Sequence, residues 1–147
     1  MKNEKKVFVV YKGVKVDKSK ERPVRRQIEV RPFNDELKYL QGLVDGHLEH
    51  YVIDDNLDKL YIDMWINDEG KLRDDFKPTI ALTHEGKLYD VIMGPCVFSK
   101  YNDDGETLGL SLDEMNIVID WINKQQIGGL ISKDSQETDN PVIVVDR

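Results

Sequence analysis

The hydrophobic pattern opens with two stretches typical of β-strands. Residues 6–11 (KVFVVY) are almost continuously apolar and rich in β-branched and aromatic side chains, which predicts a buried strand. Gly13 and the polar run behind it predict a loop. Residues 24–30 then alternate apolar and polar positions, with one lapse at Arg26, which predicts a half-exposed strand with a basic outer face.

The middle of the chain continues with strand-like runs separated by turn-forming residues. Residues 48–53 and 60–66 flank an Asp-Asp-Asn turn, so we expect a hairpin. The apolar run over residues 88–98 is interrupted by Gly94-Pro95, which indicates a bulge or a sheet edge. Residues 102–105 (NDDG) are a strong turn signal.

Two segments have the spacing of amphipathic helices. The first covers residues 35–44, with Asn34 placed to cap its start and Gly46 placed to end it. The second begins with a capping box, in which Ser111 is followed three residues later by Glu114. Its apolar stripe has the i, i+3, i+4, i+7 spacing of a helix face and comprises Met115, Val118, Ile119 and Ile122.

The order of these elements predicts the fold class. Two strands, a helix, several strands and a second helix indicate an α+β protein, with a mostly antiparallel sheet and two packed helices in a single domain. We place that domain at residues 1–127, with basic strands at its start. Gly128-Gly129 ends the second helix and begins a polar tail, residues 128–147, in which residues 141–145 could add a strand.

Length and composition narrow the class of protein. The chain has 147 residues, of which 39% are hydrophobic, so it can bury a core without disulfides or metal. No apolar run approaches the roughly 20 residues of a membrane helix. The first apolar run is four residues long, too short for a signal peptide or an anchor. Cys96 is the single cysteine, so an internal disulfide is excluded, and we expect a cytoplasmic protein.

The net charge of −7 is distributed unevenly. Residues 1–31 hold 11 Lys and Arg against 4 Asp and Glu, a net +7, and residues 32–147 hold 10 against 24, a net −14. The acidic part disfavours direct DNA binding, because DNA is itself negative. It suits a partner with a basic surface, and the commoner alternative is a plain solvated surface.

The histidines raise the question of a metal site. His47 and His50 are three residues apart, with a strand expected at the second, and side chains at odd spacing on a strand point to opposite faces. His84 lies in a predicted turn. The two Asp-rich turns lack ligating residues at the first position of a calcium loop. We therefore expect neither a metal nor another cofactor.

The sequence shows no combination of residues typical of a catalytic site. Cys96 has no neighbouring His or Lys to activate it, which favours a buried structural thiol. Ser111 is used as a helix cap, and the paired carboxylates lie in polar turns where their acidity should be ordinary. These features predict a protein that is not an enzyme.

A basic cluster near the start of the chain could contact phosphate. A solvated loop and strand face is the commoner reading of such a cluster. Its members are Lys18, Lys20, Arg22, Arg25, Arg26 and Arg31.

Four motifs together resemble a known family. They are residues 40–49 (LQGLVDGHLE), 67–72 (NDEGKL), 93–98 (MGPCVF), and the acidic glycine turn at 103–106 that precedes the capped helix. In this combination the chain resembles an uncharacterised domain-of-unknown-function family (DUF3846-like) of short proteins from phages, plasmids and conjugative elements. The resemblance spans roughly residues 6–124. Residues 75–81 depart from the family pattern, and residues 141–147 are additional.

The resemblance carries expectations about function. The family position of His47 is often aromatic, so a metal-ligand role for His47 is disfavoured. The resemblance implies no known catalytic residues. It implies a mobile-element setting in a bacterial host cell, in which small accessory proteins often counter host defence.

Two hypotheses of different classes follow. The first is a non-catalytic accessory protein of a phage or mobile element that binds a host macromolecule, such as a protein with a basic surface. Its acidic surface would include Asp54, Asp55, Asp74 and Asp75. The alternative is a protein that binds and sequesters a nucleotide signal. Its phosphates would be held by Arg22, Arg25 and Arg26.

Overall fold

The computed structural model describes residues 5–16, 24–51, 55–85, 87–127 and 142–145. Within these ranges the strands are β1 Val7–Val16, β2 Val24–Pro32, β3 Leu48–Tyr51, β4 Ile62–Asn67, β5 Pro78–His84, β6 Lys87–Met93, β7 Cys96–Tyr101, β8 Thr107–Leu108, β9 Gln126–Ile127 and β10 Val142–Val145. The helices are α1 Leu37–Val44, α2 Asp55–Asp58 and α3 Leu112–Lys124, with a 3-10 turn at Gly70–Leu72.

The strands form a large and a small sheet. The large sheet has the order β10-β2-β1-β7-β4-β3, with β8 added to β7, and the small sheet has the order β6-β5-β9. Every described pairing is antiparallel except that of β10 with β2, which is parallel. The expected α+β class with a mostly antiparallel sheet is therefore confirmed. No helix in the described part of the chain is both long and apolar enough to cross a membrane.

The two faces of the large sheet are covered differently. One face packs against α1, through a cluster that includes Phe8, Val10 and Val97 of the sheet and Leu40 and Val44 of the helix. The other face packs against α3 and the small sheet. The main apolar side chains in that second cluster include Met64, Phe98, Ile80, Ile92, Val118 and Ile122. The large sheet is thus the central layer, and it is the frame on which any site must be built.

Gly13 lies inside a strand and does not begin a loop, contrary to our expectation. Strand β1 continues to Val16, and the pairing with β2 shifts register between Tyr11 and Val14. The φ of Gly13 is +88°, which only glycine adopts readily, so the extra residue forms a bulge. Pairing with β2 accommodates the glycine without ending the strand.

The first helix begins two residues later than the sequence predicts. Asn34 does not cap it, because its Oδ1 accepts a hydrogen bond from the Glu36 N–H at 2.8 Å, in a turn ahead of the helix. The helix ends at Asp45, whose φ of 61° is left-handed. The Asn67 side chain donates to the carbonyls of Val44 (3.1 Å) and Asp45 (3.0 Å), which ties this end of α1 to β4.

The structure contains the predicted hairpin and shows what the break at Gly94-Pro95 does. Strands β3 and β4 pair antiparallel as expected, although helix α2 lies in their connection. The break at Gly94-Pro95 is the point where the chain leaves the small sheet at Met93 and enters the large sheet at Cys96. Strand β6, which precedes the break, lies at an edge of its sheet.

The capping box of the second helix is present as predicted. The Ser111 hydroxyl accepts from the Glu114 N–H, and the Glu114 carboxylate accepts from the Ser111 N–H at 2.8 Å. The helix ends at Lys124, before Gly128-Gly129, which lie outside the described residues.

A buried arginine accounts for the earlier end of α3. The Arg26 guanidinium donates to the Ile122 carbonyl at 2.5 Å and also to the Gln125 carbonyl. It thus gives two carbonyls at the helix end a charged donor, although the Ile122 carbonyl also accepts from the Gln125 N–H at 3.1 Å. It also places positive charge where the helix dipole is negative. The lapse in the β2 pattern is therefore a core contact, and Arg26 is not part of an exposed basic face.

We predict that Arg26→Met lowers the free energy of unfolding by about 2–3 kcal/mol, because buried carbonyls lose charged donors. Urea denaturation measures this loss. The control is Lys12→Gln, which removes a surface ion pair of 2.7 Å with Glu29 and should cost at most about 1 kcal/mol. Equal losses for the two variants would contradict the structural role of Arg26.

Candidate functional site

A group of polar side chains crosses three neighbouring strands on the face that α1 covers in part. Asp63 of β4 is directly opposite Ser99 of β7. His50 of β3 is opposite Trp65, two residues along β4 from Asp63, so it is a diagonal neighbour of the aspartate. Because side chains alternate along a strand, these four lie on one face. We call Asp63, Ser99, His50 and Trp65 the Asp63 cluster.

The cluster is closed by hydrogen bonds. The Ser99 hydroxyl donates to Asp63 Oδ1 at 2.5 Å, and His50 Nε2 lies 3.0 Å from Asp63 Oδ2. The Trp65 indole N–H donates to Ser99 Oγ at 2.9 Å, and the His50 and Trp65 rings meet edge to face at 5.1 Å. Every member is therefore held by another member.

Burial dominates the electrostatics of the aspartate. Asp63 is buried, and this desolvation raises the pKa of its carboxyl above the ordinary value, although the hydrogen bond from Ser99 and the neighbouring His50 oppose the rise. The order of groups differs from that of a serine protease. The carboxylate lies between hydroxyl and imidazole, so Ser99 hydrogen-bonds to Asp63 and not to His50.

A cavity of about 220 Å³ opens over the cluster. Aromatic rings, a carboxylate and small residues of the β7–β8 turn line it. They are His50, Asp63, Trp65, Tyr101, Gly105 and Thr107. The cavity thus combines apolar walls with one buried negative charge.

Two tyrosines stack beside this cavity. The rings of Tyr61 and Tyr101 are nearly parallel, at 6°, with centroids 5.2 Å apart. Tyr61 has a φ of 63°, which is strained for a bulky residue, and its carbonyl accepts from the Tyr101 N–H at 3.0 Å. Hydrogen bonding to Asp103 raises the pKa of Tyr61, and hydrogen bonding to Asp58 raises the pKa of Tyr101.

Exposed carboxylates lie beside the tyrosine pair. Asp58 and Asp103 hydrogen-bond to the two hydroxyls, and Asp104 and Glu106 lie in the same turn as Asp103. We call Asp58, Asp103, Asp104 and Glu106 the acidic rim, and all four are exposed. Among the described side chains, no lysine or arginine lies within ion-pair distance of any of them. The rim therefore presents uncompensated negative charge next to aromatic rings.

The aspartates predicted from the sequence are not brought together. Asp54 lies outside the described residues, and Asp55 is in α2, which precedes β4. Asp74 and Asp75 follow the other end of β4, and six strand residues span about 17 Å. The Arg73 guanidinium binds Asp75 at 2.7 Å, so one of these charges is already compensated.

The arginines of the nucleotide hypothesis are not brought together in the described residues either. Arg22 lies outside them, and the side chain of Arg25 is not described. Arg26 is buried against the end of α3.

The remaining reactive residues lie apart from this site. His47 is exposed just before β3, and the side chain of His84 is not described. No group of three or more metal-ligating side chains occurs in the part of the chain that is described. Cys96 is fully buried, and burial raises the pKa of its thiol to about 12, so it is a structural thiol.

A larger cavity, of about 280 Å³, lies on the other side of β3 and β4. The carboxylate on its wall, Asp90, accepts from the Tyr51 hydroxyl and pairs with Lys71, both at 2.6 Å. Its charge is therefore compensated by a lysine. The described residues that line the cavity over Asp63 include no lysine or arginine.

Sequence reasoning singled out His50, as a candidate metal ligand, but not Asp63, Ser99 or Trp65 of the Asp63 cluster. The available signal was a lone carboxylate within the otherwise apolar strand run LYIDMWIN, since a charged residue in a buried strand needs partners. Its partners come from two other strands, and only the strand pairing identifies them.

A comparison with models of known protein families identifies the family of this chain. A family model described as a domain of unknown function (DUF3846) matches residues 11–123. A search of curated proteins and a search of solved structures found no match. The matched segment contains both the Asp63 cluster and the acidic rim.

We predict that Asp63→Asn changes how stability depends on pH. Since folding raises the pKa of Asp63, the folded protein holds this proton more tightly than the unfolded chain does. The carboxyl therefore makes the free energy of unfolding fall as pH rises from its unfolded pKa, near 3.9, through its folded pKa. The variant lacks this loss, so its stability relative to wild type should increase from pH 3.5 to pH 7 in urea denaturation.

A carboxyl group whose pKa is shifted in the opposite direction serves as the control. The hydrogen bond from Arg73 lowers the pKa of Asp75, so this carboxylate stabilises the fold above its unfolded pKa and ceases to do so as pH falls. Asp75→Asn should therefore lose stability relative to wild type as pH rises over the same range. A parallel trend for the two variants would contradict the assignment of Asp63.

Proposed function

The chain belongs to the DUF3846 family, and from this premise we propose that it is a non-catalytic binding protein of a phage or mobile element. It engages a basic surface on a host protein through the acidic rim and the tyrosine pair. In a mobile-element setting, such binding would serve to counter host defence.

The observation that carries the proposal is the uncompensated charge of the acidic rim. Some acids elsewhere on the surface, namely Asp75, Asp90 and Glu114, are paired with Arg73, Lys71 and Lys100. What sets the rim apart is that its unpaired acids lie beside two stacked tyrosines. Four exposed carboxylates around two tyrosine rings favour a partner that supplies lysine or arginine, by charge attraction and by cation–π contact. Aromatic residues are also enriched at protein interfaces.

The side chains most suited to covalent catalysis support a binding role. The Ser99 hydroxyl donates to Asp63 and accepts from Trp65, so its proton and one of its two lone pairs are engaged. Ser99 and Cys96 are both fully buried. Their lack of exposure favours binding over nucleophilic catalysis by either residue.

The nucleotide alternative receives less support. It rests on three arginines, of which the one with a described side chain, Arg26, is buried against α3. The cavity over Asp63 is acidic, which opposes phosphate. A basic protein surface is the better match to the described charges.

Neutralising the acidic rim tests the proposal. We expect Asp58→Asn, Asp103→Asn and Asp104→Asn together to weaken binding of a fluorescein-labelled octalysine peptide at least fivefold at 150 mM salt. Asparagine keeps an acceptor for the tyrosine hydroxyls, so the fold is preserved. Fluorescence anisotropy measures the affinity.

A distal variant of equal charge controls for net charge. Asp68→Asn, Glu69→Gln and Asp74→Asn lie beyond the opposite end of β4, farther away than the Debye length of about 8 Å. They should weaken binding less than twofold. A larger loss of affinity in the distal variant than in the rim variant would overturn the proposal and place the interface at the surface around Asp74.

The same two variants then serve as baits in host lysate. The partner is the protein that the wild type and the distal variant capture and the rim variant does not.

A further inference from the structure

The cavity over the Asp63 cluster has the chemistry of a receptor for one organic cation. We propose that it receives an arginine side chain of the basic partner, with the guanidinium at Asp63 and the aromatic residues of the cavity around it. The inference rests on the proposed function and names the group that the surface recognises.

The size of the cavity limits its occupant. At about 220 Å³ it is smaller than the roughly 300–1,000 Å³ of pockets for drug-sized ligands. One long side chain entering from a partner suits this volume. A mononucleotide, with its base, sugar and phosphate, does not.

The charge of the cavity selects a cation. Asp63 is 6% exposed and borders the cavity, and no lysine or arginine is among the described residues that line it. A carboxylate offers about four acceptor positions, of which Ser99, His50 and the Asp63 backbone N–H use three. A cationic donor would therefore find both an opposite charge and free acceptor capacity.

The walls of the cavity favour guanidinium over other cations. Trp65 and Tyr101 provide aromatic surface, and guanidinium is planar, weakly hydrated and stacks well on such rings. An ammonium group is strongly hydrated, and the cavity offers a single carboxylate to replace its water. A divalent metal needs more ligands than this carboxylate and one imidazole supply.

A peptide titration followed by NMR tests the inference. The full chain, labelled with ¹⁵N, is titrated with acetyl-Gly-Arg-Gly-amide and with two matched peptides that carry lysine or citrulline at the centre. We expect a saturable shift of the Trp65 indole N–H signal with the arginine peptide. The lysine peptide should bind at least fivefold more weakly, and the uncharged citrulline peptide should leave the signal unmoved. Trp121 packs on Phe98, in the core cluster on the other side of the sheet, and its indole signal is the internal reference.

Two variants locate the binding. Asp63→Asn should weaken the arginine peptide at least tenfold, with an otherwise unchanged spectrum as evidence that it folds. Tyr101→Leu removes aromatic wall without touching the carboxylate, and should weaken the peptide about threefold.

Three outcomes would each overturn the inference. The first is a Trp65 indole signal that does not shift with the arginine peptide. The second is equal affinity for the lysine or citrulline peptide, and the third is wild-type affinity for the arginine peptide in a folded Asp63→Asn variant. Any of them leaves the proposed function standing if the rim variant still loses octalysine binding. Equal octalysine affinity in the rim and distal variants overturns the proposed function, whatever the arginine peptide does.

Discussion

The antiparallel pairing of β4 with β7 is the constraint on which the rest of the structure depends. It places Asp63 opposite Ser99 on one face and Met64 opposite Phe98 on the other, so one register builds both the polar cluster and the core. It also brings Tyr61, just before β4, beside Tyr101 at the end of β7. Since side chains alternate, a slip of one residue would expose Met64 and bury the wrong face of the strand. Core and candidate site are therefore specified together.

A buried carboxylate in the central sheet is tolerated because its neighbours satisfy it. Without partners it would be costly, but Ser99 and His50 bind both of its oxygens, and Trp65 orients the serine. Arg26 illustrates the same rule on the other face of the sheet, where a buried guanidinium satisfies the end of α3. The two buried charges have different consequences. Arg26 bonds to the backbone at the end of α3. Asp63 lines an open cavity, where we propose that its carboxylate accepts a further hydrogen bond from a partner.

Sequence reasoning succeeded where structure is determined locally and failed where it depends on distant contacts. The capping box at Ser111 and the strand periodicities are local signals, and they predicted α3, β2 and the α+β class. Gly13 was misassigned because pairing with β2 holds it in a bulge, and the end of α3 depends on Arg26, 96 residues earlier in the chain. The sequence places its acidic surface at pairs such as Asp74 and Asp75, and that placement stays a prediction. The acidic rim that we propose draws on α2 and the β7–β8 turn, which only the folding of the sheet brings together.

The most direct test of the central claim is a map of where a basic ligand lies on the protein. An octalysine peptide carrying an N-terminal nitroxide broadens the NMR signals of nearby amides in the ¹⁵N-labelled chain. Binding at the acidic rim predicts the strongest broadening at residues 58–61 and 101–107, on the two segments that the β4–β7 pairing brings together. Strongest broadening at residues 67–75, beyond the other end of β4, would contradict the account.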